Sequence, residues 1–407
     1  MRKSSFIWAA VLCILIGAVS GKCYVYGAVL PSYFSDSIVL TESSIEEGEE
    51  TAGPESLHAQ AAALVDGDTG RLLWGKNEAD PMAMASTTKI MTCMIALEYG
   101  NMDDLVTFSD YAASMPEVKM GAASGETFRL EDLLYAMMLE SHNDVAVAIA
   151  EHVGGSVEGF AELMNQKAKE LGCVQTCFVT PNGLDAAGHQ TTAAELGRIA
   201  AYAAKDETFR KIIGTRSYDF SNTEGKNYHA DNADAFLDQM EGAFGIKTGF
   251  TGEAGYCFVG ALEDNGRTFI SVVLGSGWPP NKNYKWEDTR KLMEYGLEAY
   301  TLVHVGEDNM PLGQMAVTNG VEDKTTIYGA TKARDYLLGK NDIFQISVVK
   351  DSVSLTAPLS KDEPVGWVYY KIDQKVVEQF PIYAESDCAE KTFDNSLWEI
   401  CQKWLKN

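Results

Sequence analysis

Three short motifs carry residue types suited to acyl transfer: Ser86-Thr87-Thr88-Lys89, Ser141-His142-Asn143 and Lys247-Thr248-Gly249. A serine hydroxyl is a poor nucleophile until a neighbour takes its proton. On a helix, positions i and i+3 share a face, so the Ser86 hydroxyl and the Lys89 amine can meet. An amine accepts a proton only when neutral. The Lys89 pKa must therefore fall from its reference of about 10.4 through desolvation and a nearby like charge. Lys247 can supply that charge. Gly249 has no side chain, which lets a peptide lie close along a strand and add to the sheet.

Each motif is weak alone. Ser347-Val348-Val349-Lys350 also spells S-x-x-K, but in an expected strand, where i and i+3 point to opposite faces. A lone S-x-N triplet is commonly a helix cap, and Lys-Thr-Gly is a routine strand or turn sequence. Order and context give the set its weight. The spacing places Ser86 where a buried helix begins, Ser141 and Asn143 in a loop between two helices, and Lys247 on a strand before a hairpin.

The elements that must position these residues follow from periodicity. Residues 61–76 read as a hairpin turned at Asp66-Gly67-Asp68-Thr69-Gly70. Met91, Met94, Ile95 and Leu97 belong to a helix apolar nearly all round, ending at Gly100, which predicts burial. Leu130, Leu133, Leu134, Met137 and Met138 form a helical stripe, as do Phe160, Leu163, Met164 and Leu171. Thr192 and Glu195 spell a capping box for a helix through Ile199. Strands return at 243–275, with 257–262 and 268–274 flanking the hairpin signal Asn265-Gly266. A helix over 287–300 closes this unit. Helices thus lie between an early hairpin and later strands of one sheet, with Lys247 on its edge. Beyond residue 305, the alternating runs 343–349, 365–371 and 376–383 predict a small all-β module.

The 407 residues exceed what one compact core usually absorbs. The 33 Lys and Arg against 58 Asp and Glu give a net charge of −25, which argues against a general nucleic-acid binder because such proteins neutralise phosphates with basic residues. Arg2 and Lys3 precede an apolar run over 6–19 followed by small residues, the layout of a secretory signal cleaved between 20 and 28. Residues 36–55 hold seven acidic residues and no Lys or Arg, and read as a solvated spacer. Near the C-terminus, Phe393, Leu397, Ile400, Cys401, Trp404 and Leu405 recur at helical spacing. That helix fits either a membrane interface, with Trp398 and Trp404 as anchors, or a docking face on its own domain; export favours the first. The eight cysteines form no disulfide framework in so long a chain. Cys173 and Cys177 lack the partners of a zinc site, so most cysteines read as buried free thiols.

The ordered set S-x-x-K, S-x-N, K-T-G is shared by active-site serine β-lactamases and penicillin-binding proteins. Over residues 61–383 the chain resembles the low-molecular-mass penicillin-binding proteins of the D-alanyl-D-alanine carboxypeptidase family (serine peptidase family S11). The matching stretches are Met84-Ala-Ser-Thr-Thr-Lys-Ile-Met-Thr92, Glu140-Ser-His-Asn-Asp144, Thr180-Pro-Asn-Gly-Leu184 and Gly245-Ile-Lys-Thr-Gly-Phe-Thr251. His142 departs from the family, where Gly is frequent, and its side chain is expected to point away from the pocket. The resemblance implies an α/β, more narrowly α+β, β-lactamase/transpeptidase-like catalytic domain with an antiparallel sheet and a helical cluster, followed by a small all-β domain. The resulting organisation is signal peptide 1–28, acidic linker 29–56, catalytic domain 57–303, β-rich domain 304–386 and amphipathic helix 387–407.

The resemblance also implies roles. Ser86 is the nucleophile, Lys89 its base, and Ser141 relays a proton to the leaving amine. Asn143 holds the peptide, Lys247 and Thr248 bind the terminal carboxylate, and Gly249 keeps the strand open. The backbone N–H groups of Ser86 and Phe250 receive the oxyanion. Lys285 lies where relatives tend to carry a basic carboxylate ligand, but as a lone lysine it reads as a solvated surface charge. The implied partners are peptidoglycan stem peptides ending in D-Ala-D-Ala, β-lactams and a membrane surface, with no cofactor or metal. A class A β-lactamase requires an E-x-x-L-N loop between the second and third motifs, and Glu162-Leu163-Met164-Asn165 has the wrong spacing. A transpeptidase or endopeptidase shares all three motifs. No G-x-S-x-G marks a Ser-His-Asp hydrolase, and the intact Ser86, Lys89 and Lys247 argue against a non-enzymatic wall-binding module.

Overall fold

The computed structural model describes residues 53–54, 56–393, 401 and 404, and residues 38–42 by their backbone. The expected signal over 1–28 lies outside the described residues, as does most of the C-terminal helix. The chain divides into two compact units, Glu50–Leu302 and a second comprising Val303–Asn407 with the N-terminal residues.

The first unit is built on a five-stranded sheet in the order Leu72–Lys76, Ala61–Asp66, Arg267–Leu274, Gly255–Asp264, Ala243–Thr251. All neighbours are antiparallel. The sheet order puts Ala243–Thr251 at the edge, as expected, because the tight turn at Asn265-Gly266, both at positive φ, pairs the two runs that flank it. Alternation gives the central strands two buried faces. Val65 and Val272 meet helix Ala193–Ala203 at Gly197, where an added Cβ would fall 2.6 Å from Val65 Cγ2. Leu64 and Phe269, on the other face, meet helix Tyr284–Ala299 at Gly296.

Helix Lys89–Tyr99 is buried on every side from Lys89 to Ala96, as its all-round apolar sequence requires. Around it gather Leu130–Glu140, Asn143–Gly154 and Val157–Glu170. The capping box is half formed. Thr192 accepts the Glu195 N–H, whereas the Glu195 carboxylate takes the N–H groups of Val174 and Gln175 and the Thr176 hydroxyl. Those donors at a loop's turning point compete successfully for the carboxylate.

In the second unit a seven-stranded sheet runs Ile38–Glu42, Phe344–Lys350, Gly366–Ile372, Lys375–Ala384, Lys324–Gly329, Pro311–Thr318, Leu355–Thr356. Gly366–Ile372 buries alternate residues, including Val368 and Tyr370, which form its core with Phe344 and Ile382. Ser347 and Lys350 lie in a strand, so the second S-x-x-K cannot bring its two groups together. One expectation fails: within the segment read as a solvated spacer, Ile38–Glu42 pairs antiparallel with Phe344–Lys350. The acidic composition hid a run, Ile-Val-Leu-Thr, of strong β-formers able to cover an open sheet edge.

Candidate active site

Ser86 stands in a single 3₁₀ turn, Ala85–Thr88, that leads directly into helix Lys89–Tyr99. In a 3₁₀ turn i and i+3 eclipse, and Lys89 Nζ lies 2.9 Å from Ser86 Oγ. The turn is held by its own threonines: Thr87 Oγ1 donates to Met84 O and Thr88 Oγ1 to Ala85 O. Ala85 sits at φ +49°, a left-handed conformation that costs a non-glycine residue of order 1 kcal/mol or more. His189 clamps the same turn. Its Nδ1 accepts the Val179 N–H (3.0 Å), so Nε2 carries the hydrogen and donates to Thr88 Oγ1 at 2.9 Å. Burial pulls the His189 pKa down to about 4 and keeps the ring neutral.

Lys89 is fully buried. Its Nζ contacts Asn143 Oδ1 at 2.9 Å and the Asn182 carbonyl at 2.6 Å as well as Ser86 Oγ. The amide of Asn143 is oriented by its Nδ2 donating to Pro116 O, which turns Oδ1 toward Lys89. Burial, and next the charge of Lys247, lower the Lys89 pKa well below the usual lysine value; Asp144 opposes them. A neutral amine has two hydrogens and one lone pair. The two carbonyl oxygens can only accept, so they take both hydrogens and leave the lone pair facing the Ser86 hydroxyl.

Ser141 is the half-buried, left-handed cap (φ +69°) of Leu130–Glu140, and Asn143 opens the next helix two residues later. Asp144, fully buried, accepts the N–H groups of Met120 and Gly121 and so ties the 115–121 loop to this turn. His142 is buried, with Nε2 3.0 Å from Glu140 Oε2.

Lys247, Thr248, Gly249 and Phe250 follow one another on the edge strand. Lys247 is 2% exposed, and burial draws its pKa down to about 8 against the opposing charge of Asp234. Thr248 is half-buried, while Phe250 is exposed with its ring 4.6 Å from that of Tyr256. Gly249 has a further reason to lack a side chain. A Cβ there would lie 2.9 Å from Ser86 N and 3.1 Å from Thr87 N, so its bareness admits the serine turn itself against the strand.

Lys285 corrects the surface reading. It is 8% exposed, its Nζ donates to Lys282 O at 3.0 Å and stands 4.9 Å from the Tyr256 ring centre and 4.5 Å from that of Trp286. Of its two aromatic walls, Trp286 is its sequence neighbour, but Tyr256 comes from a strand that only three-dimensional packing brings near. Asn182, His189 and Asp234 escaped the sequence reading. Only the Thr180–Leu184 stretch hinted at Asn182, beside Gly183, whose φ of +85° and contact with Ala85 O leave no room for a side chain. Cys93, Cys173, Cys257 and Cys388 are buried free thiols, whereas Cys177 is exposed. No group of His, Cys, Asp or Glu suited to a metal occurs among the described residues.

A serine–lysine pair at the start of a buried helix, facing a lysine-bearing edge strand across an S-x-N turn, defines a serine peptidase of the β-lactamase/transpeptidase-like fold. Comparison with known proteins makes the class narrower. The family model described as D-alanyl-D-alanine carboxypeptidase matches residues 48–277, and that described as penicillin-binding protein 5, C-terminal domain, matches residues 300–390. The chain belongs to the D-alanyl-D-alanine carboxypeptidase family of low-molecular-mass penicillin-binding proteins.

It is 32% identical to the D-alanyl-D-alanine carboxypeptidase DacF of Bacillus subtilis over 360 residues, 86% of this chain and 90% of that one. It is 27% identical to DacA of Haemophilus influenzae over 92% of this chain and 96% of the relative. The crystal structure of penicillin binding protein 5 from H. influenzae superposes with a TM-score of 0.68 at 27% identity, covering 84% of this chain and all of that one. A Streptomyces DD-transpeptidase structure gives 0.56 at 29% identity over 60% of this chain and 98% of that one.

Proposed function

We propose that the protein is a serine-type D-Ala-D-Ala carboxypeptidase that removes the terminal D-alanine from peptidoglycan stem pentapeptides and is acylated by penicillin. The observation that carries the reading is the buried Lys89 amine, 2.9 Å from Ser86 Oγ and held by the carbonyl oxygens of Asn143 and Asn182. In this reaction Ser86 Oγ attacks the penultimate carbonyl as its proton passes to Lys89. The tetrahedral oxyanion is received by the backbone N–H groups of Ser86 and Phe250, with the helix N-terminus adding favourable polarity. Ser141 passes a proton to the leaving amine, the C–N bond breaks and D-alanine departs. Water then cleaves the ester and regenerates Ser86. Asn143 holds the peptide while orienting Lys89. Lys247 and Thr248 bind the terminal carboxylate, and the Lys247 charge also holds down the Lys89 pKa.

The extracytoplasmic placement rests on the signal-like residues 1–28. Attachment to the outer face of the cytoplasmic membrane rests on 387–407, where Phe393 and Trp404 are 79% and 85% exposed. No helix long and apolar enough to cross a membrane occurs among the described residues. The test is D-alanine release from a D-Ala-D-Ala pentapeptide. Stoichiometric release without dimer formation is expected, lost in Ser86→Ala. Rapid penicillin turnover without D-alanine release contradicts the reading.

A further inference from the structure

Behind the edge strand runs a segment that the reaction above does not use. Asn232 anchors it, its Nδ2 donating to Ile213 O and Thr215 O and its Oδ1 accepting the Asp234 N–H. One end is stitched to the helix end preceding Ser141, where Ala233 N–H donates to Leu139 O and Asp231 N–H to Glu140 Oε1, both at 3.1 Å. The other end enters the turn Ala235–Asp238, whose Phe236 ring stands edge-on to Phe258 at 5.7 Å. Phe258 is the partner of Thr248 in the sheet.

Asp234 lies between these anchors, 5% exposed. Its Oδ1 caps the turn by accepting the Phe236 N–H at 2.9 Å, and its Oδ2 is buried with no hydrogen-bond partner among the described residues. A buried carboxylate oxygen left without a donor is costly unless an opposite charge compensates. On the adjacent strand Lys247, equally buried, makes one long bond to Thr248 O at 3.3 Å. A half-satisfied anion and a half-satisfied cation therefore lie buried in two elements that pack against each other. We propose that Asp234 is a positioning residue, the internal counter-ion that keeps the Lys247 ammonium charged for the substrate's terminal carboxylate.

The proposal rests on the carboxypeptidase reading. Burial alone disfavours both charges; each is the first charged group to favour the other. Arg216 and Lys285 also favour the Asp234 carboxylate, with Lys282 beyond Lys285. On the serine side stand Lys89, with Asp144 behind it, and His142, whose charging is disfavoured by burial and further by Lys247. Removing the Asp234 charge leaves Lys247 to lose its proton at lower pH, and carboxylate binding goes with it.

Asp234→Asn keeps the cap acceptor and removes the charge, Asp234→Ser is a second neutral cap, and Asp234→Glu restores the charge. The readouts are the second-order acylation rate by a fluorescent penicillin and kcat/KM for D-alanine release, across roughly pH 6 to 10. Both neutral variants are expected to move the alkaline limb down by about one pH unit, with KM rising more than kcat falls, and Glu to move it back. A wild-type limb in either folded neutral variant overturns the proposal. Wild-type protein that is neither acylated nor releases D-alanine overturns the carboxypeptidase reading instead.

Discussion

Substituting Gly249 by alanine tests how tightly the edge strand and the serine turn are matched. Gly249 lies in extended strand backbone outside the left-handed region, so alanine brings no conformational strain, and its cost is contact alone. The added Cβ falls 2.9 Å from Ser86 N and 3.1 Å from Thr87 N and Ala85 Cβ. Ordinary carbon contacts begin near 3.5 Å, so strand and turn must part by about 0.5 Å. The neighbours are mostly backbone atoms of a turn already clamped by His189 and its own threonines, and cannot swing aside.

Overpacking of this kind costs about 1–3 kcal/mol, or roughly 2–4 °C of Tm per kcal/mol in a unit of this size. The catalytic effect is larger, because the group pushed aside is the Ser86 N–H proposed above to receive the oxyanion, and losing such a donor costs about 10²–10³ in rate. Gly249→Ala is therefore expected to be acylated about 100-fold more slowly by a fluorescent penicillin while remaining folded in a thermal scan. Acylation within about threefold of wild type at an unchanged Tm refutes the argument, since neither donor nor packing would then have moved.

Asn143→Asp places a negative charge against Lys89 and turns a carboxylate toward Pro116 O. The charge favours the protonated amine, so the acid limb of the acylation profile should move up by about one pH unit or more, as a pH–rate profile would reveal. His189, held at about 4, favours the neutral ring in the fold. Its contribution is full above the unfolded value of about 6.5 and is lost as pH falls toward 4, at most about 3 kcal/mol. His189→Gln should flatten that part of the Tm-versus-pH curve. Deletion of residues 390–407 should abolish co-sedimentation with anionic liposomes without altering D-alanine release.

The meeting of Ser86 and Lys89 was legible because it depends on short spacing. Ser86 and Lys89 are three residues apart, and any helical turn presents them together. The edge position of Lys247 was legible because a hairpin turn fixes strand order locally. Contacts contributed by the backbone were not. The Asn182 carbonyl that aims Lys89 is common to every residue type, and only its place in the fold gives it a role. His189 is a single residue about a hundred positions from the turn it clamps, and Lys285 is buried against the ring of Tyr256, remote in sequence, as well as against that of its neighbour Trp286. Ile38–Glu42 was missed because charge masked a strand that needs a partner some 300 residues away.

The most direct test of the central claim is peptide mapping by mass spectrometry after brief exposure to benzylpenicillin. The account predicts one penicilloyl adduct, on the peptide containing Ser86, absent from Ser86→Ala. An adduct on another residue, or one that survives the substitution, contradicts it.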